Sequence, residues 1–134
     1  NPCVKFHIFG EGSKKLNKKY LKKIKIYKWT KRDQIYKKIN ILFVTSEIEN
    51  CPLNVLEAKS YGIPTITISN GGIKEIIQNN KDGFILGKNT SYVKIEDKLI
   101  KVLNNYKFYS NNCVKNSKKL DVKNYEIFLK TIDC

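Results

Sequence analysis

Long hydrophobic runs are missing from this sequence. None approaches the roughly 18–20 residues of a membrane-spanning helix, and no signal-peptide pattern opens the chain. Histidine occurs once, at His7. The four cysteines (Cys3, Cys51, Cys113 and Cys134) include no C-x-x-C pair, so no zinc pattern is present. Thiols scattered without a framework suit a reducing cytoplasm, which is the expected location. Arginine is nearly absent: of the 26 basic residues only Arg32 is one. There is no repeat, no low-complexity linker and no internal composition shift, so residues 1–134 read as one domain.

What is abundant is lysine. A net charge of +14 raises the class of nucleic-acid-binding proteins. That class needs a platform of interleaved aromatic and basic residues, and Trp29 with scattered tyrosines does not make one. The accompanying wealth of Asn and Ile points instead to a compositional bias written onto a solvated surface. Lys14-Lys15, Lys18-Lys19 and Lys22-Lys23 recur at helical spacing and form such a face. It can draw the protein toward anionic lipid or a polyanionic acceptor. Peripheral association with the inner face of a membrane is therefore an expectation, and a nucleic-acid partner is not. A chain of 134 residues can bury a core but is short for a two-domain enzyme, and it begins with Asn1 rather than Met. It is expected to be a piece of a longer protein.

Val4 to Phe9 reads as a strand closing on Gly10-Glu11-Gly12-Ser13. A dinucleotide fingerprint needs a third glycine at position 15, where Lys15 stands. Ser13 can cap a helix running to about Lys22. Further strands are expected at Ile24–Trp29, Ile41–Thr45, Pro64–Ile68 and Phe84–Leu86. Helices are expected at Asp33–Lys38, from Pro52 to Tyr61, and at Ile73–Gln78, Lys94–Asn104, Ser110–Leu120 and Asn124–Ile132. Tyr106 and Asn111-Asn112 read as loop breaks. Strands alternating with helices argue for an α/β fold with a doubly wound parallel sheet.

The chain is organised around Ser46-Glu47-Ile48-Glu49-Asn50-Cys51-Pro52-Leu53-Asn54-Val55-Leu56-Glu57-Ala58. It follows the apolar run Ile41-Leu42-Phe43-Val44, a buried parallel strand. A polar loop leads to Pro52, which suits a first helical turn because its missing N–H had no partner there. The helix stops at Tyr61-Gly62-Ile63-Pro64. In open α/β sheets such a corner is where ligands bind. Backbone N–H groups from Cys51 to Asn54, at the helix start, suit a phosphate. Glu49 precedes the helix and Glu57 lies about one turn inside it. An ionised carboxylate held there accepts from two neighbouring hydroxyls, in bonds worth roughly 1.5–3 kcal/mol each. Cys51 in the loop is either a small apolar filler or a thiol that alkylation would block.

The ordered pieces Ser46-x-x-Glu49, Pro52, Glu57-Ala58, Gly62-Ile63-Pro64-Thr65-Ile66, Gly71-Gly72-Ile73-x-Glu75 and Asp82-Gly83-Phe84-Ile85-Leu86 resemble a known domain. It is the C-terminal, nucleotide-sugar-binding domain of retaining GT-B glycosyltransferases, in particular the glycosyl transferases group 1 family. The Phe9-Gly10-Glu11-Gly12 corner resembles that family's glycine turn. The resemblance implies a Rossmann-like sheet, a UDP- or GDP-sugar donor, and neither cofactor nor metal; the lack of an Asp-x-Asp sequence fits the last point.

It also implies roles. Glu57 would hold the ribose diol. Glu49 would hold donor sugar hydroxyls and support charge at the anomeric carbon, as the candidate catalytic residue. Ser46, Cys51, Pro52, Leu53 and Asn54 would line the donor site, with Gly10 and Gly12 at the cleft. Glu47 competes with Glu49, but only Glu49 has the family's spacing to Glu57. Trp29 falls near the family's nucleobase position, where stacking and plain packing both stay open. For Glu75, ligand contact and stabilisation of a helix N-terminus explain it equally well. The implied reaction is front-face displacement that keeps the anomeric configuration and delivers the sugar to a glycan or lipid-linked acceptor, in surface polysaccharide or glycolipid synthesis. The family's opening strand and helix, with an Arg and a Lys for the diphosphate, have no counterpart here. The expected result is a sheet lacking its first strand and a piece inactive by itself.

Three alternatives compete. A non-catalytic glycosyltransferase-like module would bind without transferring. A basic nucleic-acid-binding domain would bind random DNA with strong salt dependence. A sugar-nucleotide epimerase of related fold matches the Ser46–Ala58 string less well.

Overall fold

The computed structural model describes residues 4–10, 24–46, 48–49, 52–68 and 70–121. The expected helices at Ser13–Lys22 and Asn124–Ile132 lie outside the described residues, as do the paired lysines from Lys14 to Lys23. The chain divides into two compact units, Asn1–Ile39 and Asn40–Cys134.

In the first unit, β1 (Phe6–Phe9) and β2 (Ile24–Tyr27) pair in parallel, with Phe6 opposite Ile24 and Phe9 opposite Tyr27. Alternation along a strand sends His7, Phe9 and Tyr27 to one face. There the Phe9 and Tyr27 rings stack at 4.9 Å, the His7 and Tyr27 rings at 5.5 Å, and the Lys38 ammonium sits 4.8 Å from the Tyr27 centroid. β2 ends at Tyr27, two residues short of the expected Trp29. The helix α1 (Arg32–Tyr36) then buries Tyr36.

The second unit runs β3 (Leu42–Val44), β4 (Ile48–Glu49), α2 (Leu53–Ser60), β5 (Thr65–Thr67), β6 (Asn70–Gly71), α3 (Ile73–Ile76), β7 (Gly83–Ile85), α4 (Tyr92–Asn104) and α5 (Tyr106–Asp121). β3, β5 and β7 form one parallel sheet in that order, with Val44 beside Thr67 and Thr67 beside Ile85. β4 and β6 make a second, two-residue parallel ladder. Every ladder among the described residues is parallel.

Two apolar layers clothe the three-stranded sheet. On one side Val44 meets Val55 of α2 and Ile73 and Ile76 of α3. On the other, Ile66, Phe84 and Leu86 meet Val102 of α4 and Tyr109 of α5. Each large side chain buried this way contributes about 1.5–3 kcal/mol. Helices therefore cover both faces, which is the doubly wound α/β arrangement expected from the alternation.

The connections have local causes. At the end of α2, Gly62 N–H donates to Lys59 O at 3.0 Å and Ile63 N–H to Ala58 O at 2.9 Å. This paired pattern requires a left-handed residue between helix and exit, and Gly62 has φ +71°. Gly83 is needed for a different reason: a Cβ there would lie 2.3 Å from the Thr65 carbonyl oxygen across the ladder. Ser91 caps α4, its Oγ accepting from Lys94 N–H.

The expected breaks at Tyr106 and Asn111-Asn112 are not there. Tyr106 is the first residue of α5, and the helix continues through both asparagines. Asn112 satisfies its amide on its own helix, donating to Phe108 O at 3.0 Å. Tyr109, Cys113 and Asn116, at i, i+4 and i+7, supply the buried stripe that holds the helix in place.

Candidate functional site

Parallel pairing makes β3, β5 and β7 end at a common edge, and the chain leaves that edge into α2, α3 and α4 in turn. Ser46, half-buried, lies two residues beyond β3. Glu49 is not in a loop, as its polar surroundings suggested. It belongs to β4, and its backbone pairs with Gly71 of β6. A ladder of main-chain hydrogen bonds leaves no mark on side-chain composition, which is why the polar sequence read as irregular. Gly71 has φ +96°, a conformation that favours glycine, and Gly72 follows as the residue capping α3.

Pro52 precedes α2 rather than entering its first turn. Its φ of −75° and ψ of 97° are extended, and its carbonyl accepts from Val55 N–H at 2.9 Å and Leu56 N–H at 3.3 Å. Fixed φ and a missing N–H suit that position as well as the next one. Along α2, Val55, Ala58 and Lys59 form the inner stripe, continued by Gly62 past the helix end, and all are buried. Leu53, Asn54, Ser60 and Tyr61 form the outer side and are exposed. Glu57, half-buried, shares that side with Leu53 and Asn54 one turn nearer the helix start. The structure therefore brings Leu53, Asn54 and Glu57 together on one helix face beside a helix N-terminus, where N–H groups lack intrahelical acceptors. Glu75 is exposed in the first turn of α3, where its charge suits the helix dipole. Glu47, Cys51 and Gly12 lie outside the described residues.

In the first unit, Gly10 N–H donates to Tyr27 O at 3.1 Å and has φ +120°, so the turn after β1 demands a glycine on conformational grounds. A Cβ on Gly10 would stand 4.0 Å from Cε3 of Trp29. Trp29 is 73% exposed, so plain core packing does not describe it. It borders an open depression of about 630 Å³ together with Arg32, Asp33 and Lys37.

Sequence reasoning missed a buried polar cluster. Lys59 Nζ lies 2.8 Å from Asp82 Oδ2 and also donates to the carbonyl oxygen of Ile76. Asn116 Nδ2 donates to the same Asp82 oxygen at 2.8 Å, and Gln78 N–H donates to Asp82 Oδ1 at 2.9 Å. The Cys113 thiol donates to Asp82 O at 3.2 Å. Burial, and secondarily the Asp82 charge, push the Cys113 thiol up to about 12, with Lys59 acting in the opposite sense. The readable signal was a lysine on the apolar stripe of α2. The cluster sits at the amino edge of the sheet, away from the edge where ligands bind in such folds.

A profile of the family described as glycosyl transferases group 1 matches residues 1–120. No match is found among curated proteins. Among solved structures, the pneumococcal O-GlcNAc transferase GtfA, crystallised with UDP and GlcNAc, is similar at 18% identity and TM-score 0.78, over 97% of this chain and 29% of its own. HepE of Anabaena, crystallised with UDP, is similar at 16% identity and TM-score 0.77, over 100% of this chain and 42% of its own. TarM of S. aureus, crystallised with fondaparinux, alpha-GlcNAc-glycerol and UDP, is similar at 22% identity and TM-score 0.77, over 97% of this chain and 28% of its own. The chain thus spans less than half the length of each of these proteins. Their likeness shows the fold, that of GT-B glycosyltransferases with a Rossmann-like parallel sheet. With the family profile covering most of its length, the chain belongs to the glycosyl transferases group 1 family.

Proposed function

We propose that residues 1–134 are the nucleotide-sugar-binding half of a glycosyltransferase that works with retention of anomeric configuration and without a metal ion. The observation that carries this reading is the gathering of Leu53, Asn54 and Glu57 on one face of α2, the helix that follows β3 and β4, in a member of this family. The UDP complexes of GtfA, HepE and TarM support a nucleoside diphosphate as leaving group. The alpha-GlcNAc-glycerol bound to TarM supports a glycan or lipid-linked acceptor.

In this reading the start of α2 faces the diphosphate, and the positive end of its dipole stabilises the departing charge by about 0.3–1 kcal/mol. Glu57 accepts from the two ribose hydroxyls. Glu49 accepts from sugar hydroxyls and offsets positive charge at the anomeric carbon. The bond from the anomeric carbon to the diphosphate oxygen breaks while the acceptor oxygen bonds on the same face. The acceptor's proton passes to the departing phosphate oxygen. The rest of the protein supplies the acceptor site and the cations for the diphosphate, and the enzyme works in the cytoplasm at the inner membrane face.

The test follows the anomeric proton by NMR while the full-length protein consumes a UDP- or GDP-sugar in EDTA. A product of unchanged configuration, formed at an unchanged rate in EDTA, is expected. Inversion, or abolition by EDTA, would contradict the mechanism. A protein that binds donor but never turns it over would be the non-catalytic module instead.

A further inference from the structure

Lys59 joins two helices that both start at the ligand edge. It stands near the end of α2, two residues after Glu57, and its ammonium reaches the Ile76 carbonyl at the last residue of α3. That carbonyl belongs to a helix end and has no continuing turn to accept from. The same ammonium is held by Asp82, which is fixed in turn by Gln78 N–H and by Asn116 of α5. Lys59 is 3% exposed and Asp82 2%, so water does not compete for these contacts. One buried cation therefore ties the far ends of α2 and α3 to each other and to α5.

α2 is two turns long and α3 a single turn, so a tie near their last residues also holds the residues at which they begin. α2 carries Leu53 and Asn54 at its start, with Pro52 just before it and Glu57 one turn in, while Gly71 of β6, paired to Glu49, and Gly72 lead into α3. We infer that Lys59 is a positioning residue: through the Ile76 carbonyl and Asp82 it sets where α2 stands against α3 and the Gly71-Gly72 corner, and so the fit of the nucleotide on α2. The inference rests on the proposed nucleotide-sugar reading and names a residue outside the ligand edge that controls it.

A stability role and a positioning role can be separated, because exchanging a buried ion pair for neutral groups of similar volume is often neutral for stability. Lys59→Met/Asp82→Asn removes both charges and the donor to Ile76. The new amide still accepts from Gln78 N–H, and a flip of the Asn116 amide restores that bond. Lys59→Gln/Asp82→Asn removes the same charges but keeps a donor for the Ile76 carbonyl. Both are titrated with UDP and GDP in the full-length protein, beside the wild type and Glu57→Ala.

At matched melting temperatures, the Met variant is expected to bind the preferred nucleotide roughly tenfold more weakly than wild type, and the Gln variant within about threefold of it. Wild-type affinity in both variants, or equal losses in both, would overturn the positioning role. Independently of any variant, hydrogen exchange of the wild type should give protection to amides 73–77 together with 53–57 when nucleotide binds. Protection confined to α2 would overturn it too. A wild type that binds neither nucleotide sinks the underlying reading. A wild type that binds through Glu57, with the Met variant unaffected, sinks this inference alone.

Discussion

Lys59 Nζ and Asp82 Oδ2 lie 2.8 Å apart with their side chains 4% and 1% exposed, an ion pair sealed inside the second unit. Lys59→Ala would leave the Asp82 carboxylate buried without its cation, and Asp82→Ala would strand the ammonium. Either single change should cost about 3–5 kcal/mol, read as a fall in the urea midpoint. A loss below about 1 kcal/mol would mean that water reaches the pair.

Three glycines should answer differently to alanine. Gly62→Ala meets a left-handed backbone at φ +71° and Ser110 Oγ at 2.8 Å, and should lose about 1–3 kcal/mol. Gly83→Ala should lose more, because the obstacle at 2.3 Å is the Thr65 carbonyl, which no rotamer change can move. Gly87→Ala, whose nearest neighbour is Thr90 Oγ1 at 3.8 Å, should change stability by about 0.5 kcal/mol or less. Thermal melts of the three variants check the order.

Cys113 predicts a pH dependence with a definite sign. Its thiol is raised from 9.0 to about 12 in the folded state, chiefly by burial. The folded protein keeps the proton where the unfolded chain gives it up, so the contribution is whole below 9.0 and is lost as pH rises toward about 12. The difference in urea midpoint between wild type and Cys113→Ala should shift against the wild type across that window. A difference constant from pH 8 to 11 would show that the thiol titrates normally. The same burial should make Cys113 react with alkylating reagents only after unfolding.

Much of the second unit was legible because apolar runs, Pro and Gly mark it. Ile41 to Val44, Pro52, Gly62 and Pro64 bracket a strand, a helix and the next strand within two residues of where the structure has them. The doubly wound arrangement followed from that alternation. The short β4–β6 ladder was not legible, since two residues paired through main chain carry no periodicity. The expected break within α5 failed because asparagine signals loops through local hydrogen bonds, and here that capacity is spent on the helix's own carbonyls. Lys59 was passed over because lysine reads as surface. Only its position among Val55, Ala58 and Gly62 betrays a buried ammonium, and its partner comes from a turn far along the chain.

Whether Glu57 holds a nucleotide is decided by calorimetric titration of the full-length protein with UDP and GDP, for wild type and Glu57→Ala. Saturable binding of one nucleotide, weakened about tenfold or more by the substitution, is the expected result. Unchanged affinity in a folded Glu57→Ala protein, or no binding of either nucleotide by the wild type, would contradict it.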